Sequence, residues 1–264
     1  MIWKLRLQAL LLLAAALLPA LTASARSADT LVVGMELSYP PFEMADQQGR
    51  PAGVSVDLAN ALADYLHKKI EIQNVPFDGL IPSLKTGKID LIISSMTATA
   101  ERAQSIDFSI PYLKTGLCLL VGKNSGIQSI TDADTNGKTI AVKRGTTGHI
   151  YAVRNIKNAS LLVLDREPAC VLEVAQGKAD AFIYDQISVF KSWQQNPDTT
   201  RVLLKPVEEG NLAIGIRKGD DDLRQQVNAF LTAYKAEGGF EKLGDKWLKD
   251  QKDTFKKMGV PFYF

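Results

Sequence analysis

Histidine and cysteine are scarce in this chain, with two of each among 264 residues. His67 and His149 lie far apart and have no ligand-spaced neighbours, so neither a metal centre nor a cofactor is expected, and no catalytic histidine either. There is no C-x-x-C and no G-x-S-x-G, which removes two redox and hydrolase signatures. The fragment Asn136-Gly137-Lys138-Thr139 resembles the tail of a phosphate-binding loop, but Asp132 stands where that loop needs its first glycine. A turn before a strand explains it.

Net charge is nearly missing too: 31 Lys and Arg face 29 Asp and Glu, leaving +2. Lys4 and Arg6 account for that excess, and both lie in a leader-like segment. The balance therefore argues against nucleic acid, or an anionic membrane surface, as the main partner. With 46% hydrophobic and 23% charged residues the composition is that of a globular protein, and the length fits one large domain or two of ordinary size.

Long apolar runs are confined to the start. Lys4 and Arg6, the apolar run 9–18 and the small residues Ala23-Ser24-Ala25 read as a secretory signal peptide over 1–25, cleaved after Ala25. That leaves about 239 residues, exported to the periplasm. No cysteine sits beside the cleavage point, so a free rather than lipid-anchored protein is expected. No later run reaches about 18 apolar residues, so no transmembrane helix is expected. Cys118 and Cys170 sit in apolar runs, where they would act as small buried hydrophobes or pair as one disulfide.

The densest information lies in residues 90–112. Residues 90–93 form a short branched, apolar run, the pattern of a buried parallel strand, and Ser94, Ser95, Met96, Thr97 and Thr99 follow its carboxyl end. Ligands of open α/β sheets bind at that end. Arg102, a few residues on, carries a fork of donors matched to a carboxylate. Read more plainly, Glu101 and Arg102 are the solvated face of a short helix.

Strands are expected over 30–34, 70–74 and 90–93, with helices over 53–68 (capped by Ser55) and 80–86 between them. This is a βαβαβ order. A second series follows: a strand over 116–121, a helix and turn over 128–136, strands over 139–143, 161–164 and 181–184, and helices over 149–155 and 167–176. The second block closes near 206–210, a strand over 212–217 returns, and helices over 220–235 and 240–249 finish the chain. An internal echo, SLKTGKIDLIIS at 83–94 against VAQGKADAFIYD at 174–185, suggests two related lobes. The crossings fall near 113–116 and 207–212, where a cleft can open and shut.

Gly145-Thr146-Thr147 enters a helix, a place where free backbone N–H groups and the helix dipole favour an anion; Thr146 or Thr147 also suits as a cap. Asp185 ends the strand that echoes the first lobe, so it is either a cap or an anchor for an ammonium group.

The segments Tyr39-Pro-Pro-Phe-Glu43, Gly53-Val-Ser-Val-Asp57, Phe77 to Leu84, Asp90 to Arg102, Ile106 to Tyr112, Gly145-Thr-Thr147 and Gly239 to Trp247 resemble, in this order, the periplasmic binding proteins for polar amino acids that serve ATP-binding cassette importers, family 3 of the bacterial extracellular solute-binding proteins. The resemblance spans essentially the whole mature chain. It implies an α/β, two-lobed periplasmic-binding-protein fold of type II, with two doubly wound sheets joined by two hinge crossings. The lobes would comprise 26–114 with 210–264, and 115–209. It also implies that Arg102 holds a carboxylate with help from the Thr147 amide and the Ser95–Thr97 segment, that Asp185 holds an α-amino group, again with the segment around Ser95 and Thr97, and that Tyr39 and Phe77 flank a side chain ending at Glu36. Such a site suits arginine, lysine or ornithine through cation–π and charge pairing; glutamine-binding relatives also carry two aromatics and an acid. The partners implied are a free amino acid and a membrane permease, with the protein a monomer and not an enzyme. A few relatives are exported cyclohexadienyl dehydratases, which would need an acid such as Glu36 or Glu173. A sensor domain has little support, since no signalling segment follows Phe264.

Overall fold

The computed structural model describes residues 29–262; the expected signal peptide lies outside them. Two five-stranded mixed sheets organise the chain. In the first, Lys69–Asn74, Thr30–Met35 and Leu91–Ile92 run parallel, and Gly215–Ile216 is antiparallel to Leu91–Ile92 and also pairs with Asp107–Phe108. In the second, Ser160–Leu164, Thr139–Lys143 and Ala181–Asp185 run parallel; Leu113–Gly122 pairs antiparallel with the last of these and with Thr200–Leu212. Both sheets place the second strand outside the first and the third inside it.

Leu113–Gly122 and Thr200–Leu212 also make the crossings, held together from Leu113↔Leu212 to Thr200↔Gly122 with an irregularity between Leu203 and Glu208. They meet the first sheet's site segment: Thr97 bridges Leu212, and the Ala98 N–H donates to the Asn211 carbonyl at 2.9 Å. The strand Thr200–Leu212 was not expected from the sequence. Its residues are mostly half-buried with no clean alternation, and Pro206 interrupts it, so only pairing with Leu113–Gly122 makes it a strand.

Helices cover the sheets by burying one face each; Val54–Tyr65 buries Leu58, Ala59 and Leu62. Ser55 lies inside this helix rather than capping it, and its hydroxyl turns to Glu43. A small antiparallel sheet, Ser38–Tyr39, Glu43–Ala45 and Pro51–Ala52, carries the proline-rich loop. The closing helices are Asp221–Ala236, Gly239–Trp247 and a third, Lys249–Met258; Leu248 leaves helical geometry between the last two. The third was not expected from the sequence, where the helix over 240–249 finishes the chain; its polar run offers little apolar periodicity beyond Phe255, the residue it buries. Cys118 and Cys170 are buried free thiols. Among the described residues, no helix is long and apolar enough to cross a membrane.

Candidate ligand-binding site

A cavity of about 260 Å³ opens between the carboxyl ends of the two sheets, at the crossing strands. It is small beside the ~300–1,000 Å³ of drug-sized sites. Of the residues singled out in the sequence, Glu36, Tyr39, Phe77, Ser95, Thr97, Arg102, Thr146, Thr147 and Asp185 line it. Ser94 and Met96 do not. Ser94 lies beneath, accepting the Glu36 N–H at 3.0 Å, and the Met96 side chain packs in the core.

Arg102 sits in the one-turn helix Ala100–Ala103, capped by Thr99. Its side chain is buried and donates to the Thr97 carbonyl at 2.8 Å and, across the cleft, to the Gly145 carbonyl at 2.9 Å. Neutral carbonyls orient a guanidinium without discharging it. Among the described residues no carboxylate lies within ion-pair distance of Arg102, and burial lowers its pKa to about 10.

Facing it, Thr146 caps the helix Thr147–Asn155, accepting from the His149 N–H and donating to the Lys143 carbonyl at 2.7 Å. The first-turn N–H groups of such a helix have no acceptor of their own and favour an anion. Gly145 makes the turn possible with φ +73°, and a Cβ on Gly148 would lie 2.4 Å from the Ile183 carbonyl, so the helix sits tight on its strand. His149 belongs to this turn, its Nδ1 accepting the Gly145 N–H.

Asp185 does both things the sequence left open. Oδ1 caps Gln186–Gln195 by accepting the Ser188 N–H at 2.9 Å. Oδ2 is buried with no hydrogen-bond partner among the described residues; the Tyr39 hydroxyl stabilises the carboxylate without reaching bonding geometry, and desolvation raises the pKa. One cavity wall thus holds an unmet cation and the other an unmet anion.

Lys143 is the residue that sequence reasoning missed. It ends the strand Thr139–Lys143, its side chain is buried, and its Nζ pairs with the Glu36 carboxylate of the other sheet. Nζ also stands 5.7 Å from the Phe77 ring centroid, and the Arg102 guanidinium carbon stands 5.3 Å from the same centroid. The available signal was a lone charge at the carboxyl end of an otherwise apolar strand. Tyr184, Gln186 and Glu43 also line the cavity. Among the described residues no group of three His, Cys, Asp or Glu is placed to hold a metal ion.

The sequence model of the bacterial extracellular solute-binding proteins, family 3, matches residues 31–250. The chain is 32% identical over 252 residues to the L-arginine-binding protein of Pseudomonas aeruginosa PAO1, covering 90% of this chain and 96% of that protein. It is 29% identical over 219 residues to the L-cystine-binding protein TcyJ of Escherichia coli K12, covering 83% and 82%. Among solved structures, an ancestral arginine-binding protein bound to glutamine matches with a TM-score of 0.78 at 32% identity, covering 84% of this chain and 99% of that one.

Proposed function

The chain belongs to the bacterial extracellular solute-binding proteins, family 3, and from that premise we propose that it captures a free polar amino acid in the periplasm and delivers it, as a monomer, to the permease of an ATP-binding cassette importer. One observation carries this reading: Arg102 and Asp185 are charges of opposite sign, each lacking an ionic partner among the described residues, and both face one small cavity. A zwitterion answers both at once, its carboxylate at Arg102 and the Thr147 turn, its ammonium at Asp185. Among the described residues, those up to 114 together with those from 210 form one lobe and 115–209 the other, hinged where the two long strands cross.

The side-chain end supports a neutral amide best. Glu36 would attract a cation, but it is already paired with Lys143, and a ligand cation reaching Glu36 would have to compete with that buried ammonium. Like charges in a dry site repel strongly. An amide such as glutamine offers a donor to Glu36 and an acceptor to Lys143. The second reading is the basic class, arginine, lysine or ornithine, supported by Glu36 between Tyr39 and Phe77 and by what the arginine-binding relative is named for.

We read the chain as a binding protein rather than a dehydratase, since Glu173 is not among the cavity's lining and Glu36 is tied to Lys143. A thermal-shift screen of the twenty amino acids, ornithine and cystine, followed by calorimetry, tests this. A ligand at 100 times its Kd adds about 2.7 kcal/mol of stability. Glutamine is expected to give the largest shift; a response led by arginine establishes the second reading, and silence from every amino acid overturns both.

A further inference from the structure

Glu43 is a carboxyl at the cavity's edge whose surroundings the capture of an amino acid does not by itself explain. It is 1% exposed and lines the cavity. Three hydroxyls converge on it: Ser55 at 2.6 Å and Ser95 at 3.0 Å on Oε2, and Ser94 at 3.2 Å on Oε1. Among the described residues no Lys or Arg lies within ion-pair distance of it. The titratable groups that act on it or feel its charge are Glu36 at the exit of the first strand, Tyr112 and Tyr184, none of them a cation, while Tyr39 lies opposite it in the small sheet.

Hydroxyl chemistry gives this cluster two states. Each serine has one proton to donate and lone pairs to accept with. Ser94 already accepts the Glu36 N–H, so its proton is directed to Glu43. When Glu43 is ionised, all three hydroxyls donate to it, and Ser95 offers the cavity only lone pairs. When Glu43 is protonated on Oε2, its O–H has two hydroxyls within reach, Ser55 and Ser95, and where it donates to Ser95 the Ser95 proton is released to turn into the cavity. Ser95 is fixed at φ +45°, a conformation unusual for a side-chain-bearing residue, and it lines the cavity beside Thr97 and Arg102.

We propose that Glu43 is a positioning residue that couples amino-acid capture to the uptake of a proton, its carboxylic O–H turning the Ser95 hydroxyl so that it donates to the ligand's carboxylate. The inference rests on the amino-acid-binding reading. No bond other than hydrogen bonds changes: solvent gives the proton to Glu43 on binding and takes it back on release. Burial, the largest influence, already holds the carboxyl up at about 8 against the pull of the three hydroxyls. The water a ligand expels and a ligand carboxylate held at Ser95 push it further up; the ligand's ammonium, held at Asp185, pulls the other way, and proton uptake requires the first two to prevail. The sign follows from linkage: a group whose pKa is higher in the complex takes up protons on binding, so affinity is highest below the free-state pKa and falls as pH rises through and above about 8.

Calorimetry at pH 8 in two buffers of different ionisation enthalpy counts the protons. For the wild-type protein with the amino acid selected by the thermal-shift screen, an uptake of a few tenths of a proton or more is expected beyond the small uptake from the ligand's own amino group, which is all that Glu43→Gln should show. From pH 7 to 9 the affinity of wild type should fall by several-fold more than that of Glu43→Gln, in which the ligand's own titration is the only one left. Ser95→Ala, which keeps Glu43 but removes the hydroxyl it turns, should bind more weakly and lose most of the uptake. Buffer-independent heats for the wild type overturn the proposal even if Glu43→Gln does not fold, as does equal uptake in wild type and Glu43→Gln. If no amino acid binds the wild-type protein at all, the amino-acid-binding reading itself falls, a result distinct from binding without protons.

Discussion

In the first sheet the chain leaves the helix Leu80–Lys85, turns at Gly87 with φ +73°, and lays Asp90 against the first strand, where its carboxylate accepts the Val32 N–H at 2.9 Å. In the second it leaves Glu167–Ala175, turns at Gly177 with φ +71°, and lays Asp180 against Thr139, whose N–H it accepts at 2.8 Å. The amino ends of the two third strands are thus built alike, atom for atom. Their carboxyl ends are not: one runs into serines, threonine and Arg102, the other into Asp185, across the cavity with the Thr147 turn. The two sheets share this device at one end and differ where they face the cavity. The two unmet charges are of opposite sign but are not paired with each other, so a ligand bearing both signs can answer both and favour the state in which both walls touch it.

The largest effect should come from removing either unmet charge. Arg102→Ala and Asp185→Ala are each expected to weaken amino-acid binding by tens to thousands of fold, corresponding to roughly 2–5 kcal/mol for one member of a buried charge pair. Asp185→Ala also removes a helix cap, about 1 kcal/mol of stability, so Asp185→Asn is the cleaner variant, keeping a cap and losing the charge. Calorimetry within threefold of wild type for Arg102→Ala would show that the two walls do not divide a zwitterion between them.

A smaller effect tests the asymmetry at the side-chain end. Lys143→Met keeps the apolar stem and removes the charge that neutralises Glu36. It is expected to lower glutamine affinity and raise arginine affinity, each by about tenfold or roughly 1.4 kcal/mol. If arginine binds the wild type and the variant equally, Lys143 does not guard this end.

Both parallel strand sets and their carboxyl-end polar residues were legible in the sequence, because buried parallel strands announce themselves as short branched, apolar runs and loops at their ends carry the chemistry. Asp185 was legible only through the 83–94 and 174–185 echo, which placed it opposite Ser94 and Ser95. Lys143 was not, because its meaning depends on Glu36, 107 residues away and on the other sheet. Glu43 could be read as part of a motif but not as a cluster, since Ser55, Ser94 and Ser95 come from two other segments. The strand Thr200–Leu212 escaped for a like reason: partner pairing, not its own pattern, makes it extended.

The smallest expected effect tests the shared half of the comparison. Asp90→Ala and Asp180→Ala each leave a strand N–H, of Val32 or of Thr139, without its acceptor. An orphaned buried donor costs about 1–3 kcal/mol, and because the two sites are built alike the two losses should be similar. The ion pairs each Asp also makes, Arg217 at 3.7 Å to Asp90 and Lys138 at 2.9 Å to Asp180, are partly exposed and add little. Urea denaturation should therefore show comparable falls in midpoint for both. Amino-acid affinity should stay within a few-fold of wild type, because both carboxylates stand at the amino ends of their strands, away from the cavity lining. A variant that unfolds no more easily would remove the shared device from that sheet. One that lost binding at unchanged stability would show that the amino ends, too, report to the site.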